Sequence, residues 1–144
     1  MEKSQTLTFF SPESYENSGA AFVDIGVSAG FPSPADDFIQ ERISLDKTLI
    51  KNQEATFFAR VSGQSMIDAG IDDKDLLVID RSITPENNKI AVCFIDGEFT
   101  VKRLRVTNNE IWLKPENPNY PIIKITEEND FMIWGIVTNV IKSV

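Results

Sequence analysis

After residue 55 the chain is a succession of short runs rich in β-branched, aromatic and aliphatic residues: TFFARVS, LLVID, KIAVCFI, EFTVKRLRV, EIWLK, PIIKI and FMIWGIVTNVIK. Clusters of Gly, Pro, Asn and Asp separate them, and runs of this length and make-up predict strands. Their spacing predicts a compact, mostly β domain. Between KIAVCFI and EFTVKRLRV stands Asp96-Gly97, a pair suited to a two-residue hairpin loop, where both central residues need positive φ. Lys102 is thereby placed on the hairpin's second strand. Alternation puts Thr100, Lys102 and Leu104 on one face of it, and Phe99, Val101, Arg103 and Arg105 on the other.

The first 36 residues read differently. Ser11, Ser14, Ser18, Gly19, Gly26, Ser28 and Gly30 are interspersed with Pro12, Pro32 and Pro34, no period of 2 or 3.6 is sustained, and an extended arm is predicted. Short helical turns are predicted over 35–42, after the Ser33-Pro34 start signal, and over 45–51, where Ser44 can cap. No internal repeat or low-complexity tract is present.

Composition narrows the function. The chain has 144 residues, 42% of them hydrophobic, enough for one domain with a real core. Fourteen Lys and Arg against 22 Asp and Glu leave a net charge of -8, and such a field repels phosphate backbones, so direct nucleic-acid binding is disfavoured. The lone cysteine, Cys93 in IAVCFI, cannot form an internal disulfide; it reads as a small buried hydrophobe in a protein of the reducing cytoplasm. The opening MEKSQTLTFF lacks the basic and apolar regions of a secretion signal, and no apolar run reaches the roughly 18 residues that span a bilayer.

There is no histidine, which removes the Ser-His-Asp triad and His-based zinc sites. Serine can still be activated by a neutral lysine amine, and burial is what makes such an amine available near neutral pH. Two residues are candidates. Ser65 lies in VSGQSMIDAG, a turn-like segment in which the amides of Gln64 and Ser65 can face a developing oxyanion. Lys102 is nominated by its strand position, although a strand lysine is ordinarily solvated and a turn serine ordinarily a surface cap. The acidic cluster Asp68, Asp72, Asp73, Asp75 and Asp80 does not have the spacing of a calcium loop. Phe57, Phe58, Trp112 and Trp134 read as core or interface.

Taken together, GQSMIDAGIDDKDLLVID with its serine and IDGEFTVKRL with its lysine closely resemble the LexA and UmuD family of self-cleaving Ser-Lys proteases. A third element agrees: VSAGFPSPADDF carries Ala29 before Gly30, matching the small-residue and glycine pair at which the family cuts itself. The resemblance covers about residues 20–144 and implies a strand-rich LexA/signal-peptidase-like catalytic domain with an extended, cleavable N-terminal arm. It divides the chain into an arm over 1–29, a tether with short helical turns over 30–50, and a protease and dimerisation domain over 51–144. Ser65 is then the nucleophile, Lys102 the general base, the Ala29–Gly30 bond the substrate and Val27 an apolar anchor. A small Ala29 suits a narrow pocket, and Gly30 lets the backbone approach the nucleophile. About 100 Å of reach between Gly30 and Ser65 permits cleavage within a chain or between chains.

Lys3 is the only basic residue ahead of the cut, against Glu2, Glu13, Glu16 and Asp24, which does not suit a DNA-reading helix-turn-helix. With Gly30-Phe31-Pro32-Ser33-Pro34-Ala35 it resembles UmuD more than LexA. That implies self-cleavage stimulated by a RecA filament on single-stranded DNA, a homodimer, and a processed form that joins a UmuC-type error-prone polymerase, with no cofactor. Other readings are a phage or mobile-element regulator of the same family, a non-catalytic β-rich interaction module, and a signal peptidase, the last weakened by the missing hydrophobic anchor.

Overall fold

The computed structural model describes residues 6–12, 20–23 and 39–144, with side chains for 6–12 and 42–144. Its elements are β1 (Thr6–Phe10), β2 (Ala20–Val23), β3 (Ile39–Ile43), α1 (Leu45–Leu49), β4 (Thr56–Ser62), β5 (Leu76–Asp80), β6 (Ile90–Ile95), β7 (Glu98–Thr107), β8 (Glu110–Lys114), β9 (Ile123–Lys124) and β10 (Phe131–Ile141). Two compact units result, one formed by Met1–Pro12 with Asn52–Val144, the other by Glu13–Lys51.

The larger unit is one eight-stranded sheet in the order β1-β4-β5-β10-β6-β7-β8-β9, every pairing antiparallel. The sheet curls. Phe9 of β1 meets Phe99 of β7 at 5.0 Å between ring centroids and Trp134 of β10 at 4.7 Å, edge-to-face contacts that favour aromatic packing. Around them lie the buried Ala59, Val61, Met66, Ile71, Leu77, Ile79, Val92 and Val101. A second core of Ala91, Cys93, Leu104, Leu113 and Ile136 fills the other side of the central strands. The middle of the sheet is thus covered on both faces, which is why KIAVCFI and LLVID read as continuous apolar runs and not as alternation.

The Asp96-Gly97 hairpin forms as predicted, with φ of 48° and 89° at the two residues. Asp96 is also held from β10's side, accepting from Asn129 Nδ2 at 2.8 Å and from the Asp130 amide at 2.9 Å. Ser44 caps α1 through the Lys47 amide.

Three expectations need correction. Residues 6–10, read as part of an extended arm without sustained periodicity, are a regular strand inside the large sheet: TLTFF alternates, and Leu7 and Phe9 pack on the core. The helical turn expected over 35–42 is contradicted at its C-terminal end, where Ile39–Ile43 is a strand paired with Ala20–Val23. A short isolated helix is marginal in water, and the strand partner lay too far away in sequence for a local signal to find. PIIKI shrinks to Ile123–Lys124; Pro121 has no N–H to contribute to a ladder, and Ile122 is exposed.

β10 pairs with β5 on one side and β6 on the other, and its register shifts between Ile133 and Gly135 against β6 and between Val137 and Asn139 against β5. At the first shift the backbone runs close to its neighbour. A Cβ on Gly135 would stand 2.6 Å from Ile79 Cγ2 and 3.2 Å from Arg81 Cγ, and Ile79 is fully buried with no room to yield. Gly135→Ala is expected to destabilise the domain by about 1–3 kcal/mol, read as a melting temperature several degrees lower; an unchanged melting temperature would show that the bulge adapts.

Candidate active site

Ser65 is carried by the loop between β4 and β5, and that loop is closed at its base. The Val61 amide donates to the Asp75 carbonyl at 2.9 Å and the Lys74 amide to the Val61 carbonyl at 2.8 Å, while Asp73 Oδ1 accepts from the Gly63 amide at 2.9 Å. Met66 and Ile71, both fully buried, root the loop in the core. Gln64 stays exposed. Ser65, between that exposed residue and a buried methionine, is drawn inward to 0% exposure, so the surface-cap role usual for a turn serine does not apply.

Lys102 comes from the opposite side. On β7 it pairs with Ala91, and Thr100 pairs with Cys93; paired residues project to the same face of an antiparallel sheet, so the lysine shares that face with Ala91, Cys93, Thr100 and Leu104. It is 6% exposed. Its Nζ donates to Ser65 Oγ at 3.2 Å, to Thr100 Oγ1 at 2.7 Å and to the Val101 carbonyl at 3.2 Å. These three acceptors are uncharged. Burial of a lysine in general disfavours its charged form.

The structure therefore brings Ser65 and Lys102 together across 37 residues of sequence. Gln64 is adjacent by connectivity. Val27, Ala29 and Gly30 lie outside the described residues. Sequence reasoning placed Thr100 on the lysine's face without giving it a part; it is the closest of the three acceptors. It missed the turn after β8 altogether. There the Glu116 carbonyl accepts from the Asp68 amide at 2.7 Å, the Glu116 amide donates to Met66 Sδ at 3.3 Å, and Asn117 Nδ2 donates to the Gln64 carbonyl at 2.8 Å. Glu116 also accepts from Arg103, the neighbour of Lys102. No local pattern in KPENPNY announces contacts to a loop some fifty residues earlier.

Asp72, Asp73, Asp75 and Asp80 of the acidic cluster serve the fold. Lys142 bridges Asp72 and the buried Asp75, Asp75 also accepts from the Asp72 amide, and Asp80 accepts from the Ser82 amide and hydroxyl. Hydrogen bonds to Asp72 and Asp75 raise the Lys142 pKa above the ordinary lysine value. A raised folded-state pKa gives stability that is fully present below the unfolded value and lost only as pH climbs through the folded one, so this tie to the serine loop persists into the alkaline range. Among the described residues no group of His, Cys, Asp and Glu is arranged to hold a metal ion.

Cys93 is fully buried beside the site. Burial pushes its thiol up to about 12, outweighing the lowering effect of neighbouring Lys102, so it remains a protonated, weakly nucleophilic thiol at neutral pH. Accordingly, the folded protein is expected to give no thiol reaction with Ellman's reagent, and one equivalent in concentrated guanidinium. Rapid reaction of the folded chain would contradict the burial.

The chain is similar in sequence to known proteins. The Peptidase S24-like family matches residues 21–138. Protein MucA of Salmonella typhimurium is 41% identical over 132 residues, 87% of this chain and 90% of its own length. Protein ImpA of Shigella flexneri is 43% identical over 113 residues, 78% of this chain and 77% of that protein. LexA repressor 1 of Geobacter sulfurreducens is 41% identical over 117 residues, 81% of this chain and 57% of the repressor. The chain belongs to the Peptidase S24-like family of serine peptidases, as a UmuD-like member of its LexA/UmuD branch. The strand-rich fold expected from that resemblance is the one observed, and among the described residues no helix is long and apolar enough to cross a membrane.

Proposed function

We propose that this chain is a self-cleaving protease in which Lys102 activates Ser65 to cut the Ala29–Gly30 bond. The carrying observation is the 3.2 Å contact from Lys102 Nζ to Ser65 Oγ at a site where both residues are buried. Neutral Nζ takes the proton of Ser65 Oγ as the oxygen attacks the Ala29 carbonyl carbon. The resulting oxyanion is held by the Gln64 and Ser65 amides. Lys102, now an ammonium, gives its proton to the Gly30 nitrogen as the C–N bond breaks. Water, deprotonated by the same amine, then hydrolyses the Ala29 ester and restores Ser65. Thr100 Oγ1 at 2.7 Å keeps Nζ aimed at the serine. Val27 anchors the segment before the cut.

The proposed biology follows the family. Cleavage is stimulated by a RecA filament on single-stranded DNA, which acts by population shift: it favours the conformer with the scissile segment seated on the site, without donating a catalytic group. The chain works as a cytoplasmic homodimer. Its processed form, beginning at Gly30, is an accessory subunit of a UmuC-type translesion polymerase in the SOS response. Relatives that include MucA and ImpA over most of their lengths support this reading over that of a repressor.

The test is intact mass of the purified chain after incubation at about pH 7, at about pH 10, and at the lower pH with RecA filament. Expected are two fragments, one ending at Ala29 and one beginning at Gly30, formed faster at the higher pH or with the filament. Ser65→Ala removes the nucleophile. Lys102→Arg keeps the charge but has no accessible neutral form. Both variants are expected to stay intact. Cutting by Ser65→Ala, or a rate flat across this pH range, would overturn the assignment.

A further inference from the structure

The peptide joining Gln64 to Ser65 has its two polar ends facing opposite ways. In a planar trans peptide the carbonyl and the following N–H point to opposite sides of the chain, so whatever fixes the Gln64 carbonyl also fixes the direction of the Ser65 amide. Two donors reach that carbonyl: Asn117 Nδ2 at 2.8 Å and the Ile67 amide at 3.3 Å. The shorter bond comes from outside the loop. The longer one belongs to the tight turn that follows the serine and moves with it.

The Asn117 side chain is itself locked. Its Oδ1 accepts from the Asn119 amide at 3.0 Å, which leaves only Nδ2, a donor, to face the Gln64 oxygen. Its backbone carbonyl accepts from the Tyr120 amide at 3.1 Å. Glu116, one residue earlier, is fixed by the Asp68 amide at 2.7 Å and by Arg103. Arg103 in turn donates to the Asn88 carbonyl at 2.7 Å and is the residue after Lys102. One turn therefore grips both halves of the site: through Arg103 the strand bearing the base, through Asn117 the peptide bearing the nucleophile's amide.

We infer that Asn117 is a positioning residue for the self-cleavage reaction, aiming the Ser65 amide at the oxyanion by holding the Gln64 carbonyl. The inference rests on the self-cleavage reading above. An oxyanion donor acts on the transition state and does not change how readily the base ionises. Loss of its alignment therefore lowers the rate reached when the base is fully neutral, and leaves the pH midpoint where it was. A looser site that admits water to Lys102 would instead move that midpoint toward the free lysine value.

The experiment measures filament-free self-cleavage of the full chain by intact mass, from about pH 7 to about pH 10.5, for the natural sequence, Asn117→Ala and Asn117→Ser. Asn117→Ser keeps an uncharged acceptor for the Asn119 amide but is too short to donate to Gln64, so it remains readable if the alanine variant fails to fold. Removing a whole oxyanion donor costs about 10²–10³ in rate; misaiming one is expected to lower the alkaline rate at least ~10-fold in both variants, with an unchanged midpoint. Rates within about threefold of the natural chain would overturn the role of Asn117, being far short of the loss expected at an oxyanion site. So would a loss accompanied by a shifted midpoint, which marks general loosening. If the natural chain itself never cuts, the self-cleavage reading falls. If it cuts and the variants match it, only the role of Asn117 falls.

Discussion

A lysine amine held out of water against a serine hydroxyl is the demand that the rest of this structure meets. An ammonium resists burial, so a buried site lowers a lysine's pKa and leaves more of it as the neutral amine, the form that can take a proton. Lys102 reaches 6% exposure because it stands on a central strand whose two faces are both covered. The serine must then come to it. The loop from β4 to β5 does so by rooting Met66 and Ile71 in the core on either side of a short turn.

Holding two such elements in register takes ties that do not involve the reacting atoms. The base of the serine loop is closed on β4, its far end is bridged by Lys142 to Asp72 and Asp75, and its middle is gripped by the turn after β8. Arg103 and Glu116 join that turn to the lysine's own strand. Catalytic geometry is sensitive to displacements of about an ångström, and a site assembled from loop and strand needs this support. Asp72, Asp73 and Asp75 of the acidic cluster are spent on it.

Much of the strand framework was legible in the sequence, because strand periodicity and the Asp96-Gly97 turn are local signals. Thr100 and Lys102 were placed on one face by alternation alone. The burial of Lys102 and Ser65 was not legible: it arises from Met66, Ile71 and the cross-strand neighbours Ala91 and Cys93, brought together by pairings distant in sequence. For the same reason β1 was missed, since TLTFF gains its meaning only opposite β4, and residues 39–42 were given a helical bias that their pairing with β2 overrides. Family resemblance supplied what local signals did not. It pointed to the serine and lysine as a pair, while Glu116 and Asn117 emerged only from the folded geometry.

The claim on which everything turns is that Lys102 gives up its proton more readily than a free lysine, and it is open to direct measurement. Nitrogen-15 NMR of the lysine side chains, with the Nζ resonance of Lys102 assigned by its loss in Lys102→Arg, gives its titration midpoint in the intact Ser65→Ala protein. The account predicts a midpoint clearly below the ~10.4 of a free lysine. A Lys102 that titrates at or above that value would contradict it, because a base held as an ammonium cannot take the proton of Ser65.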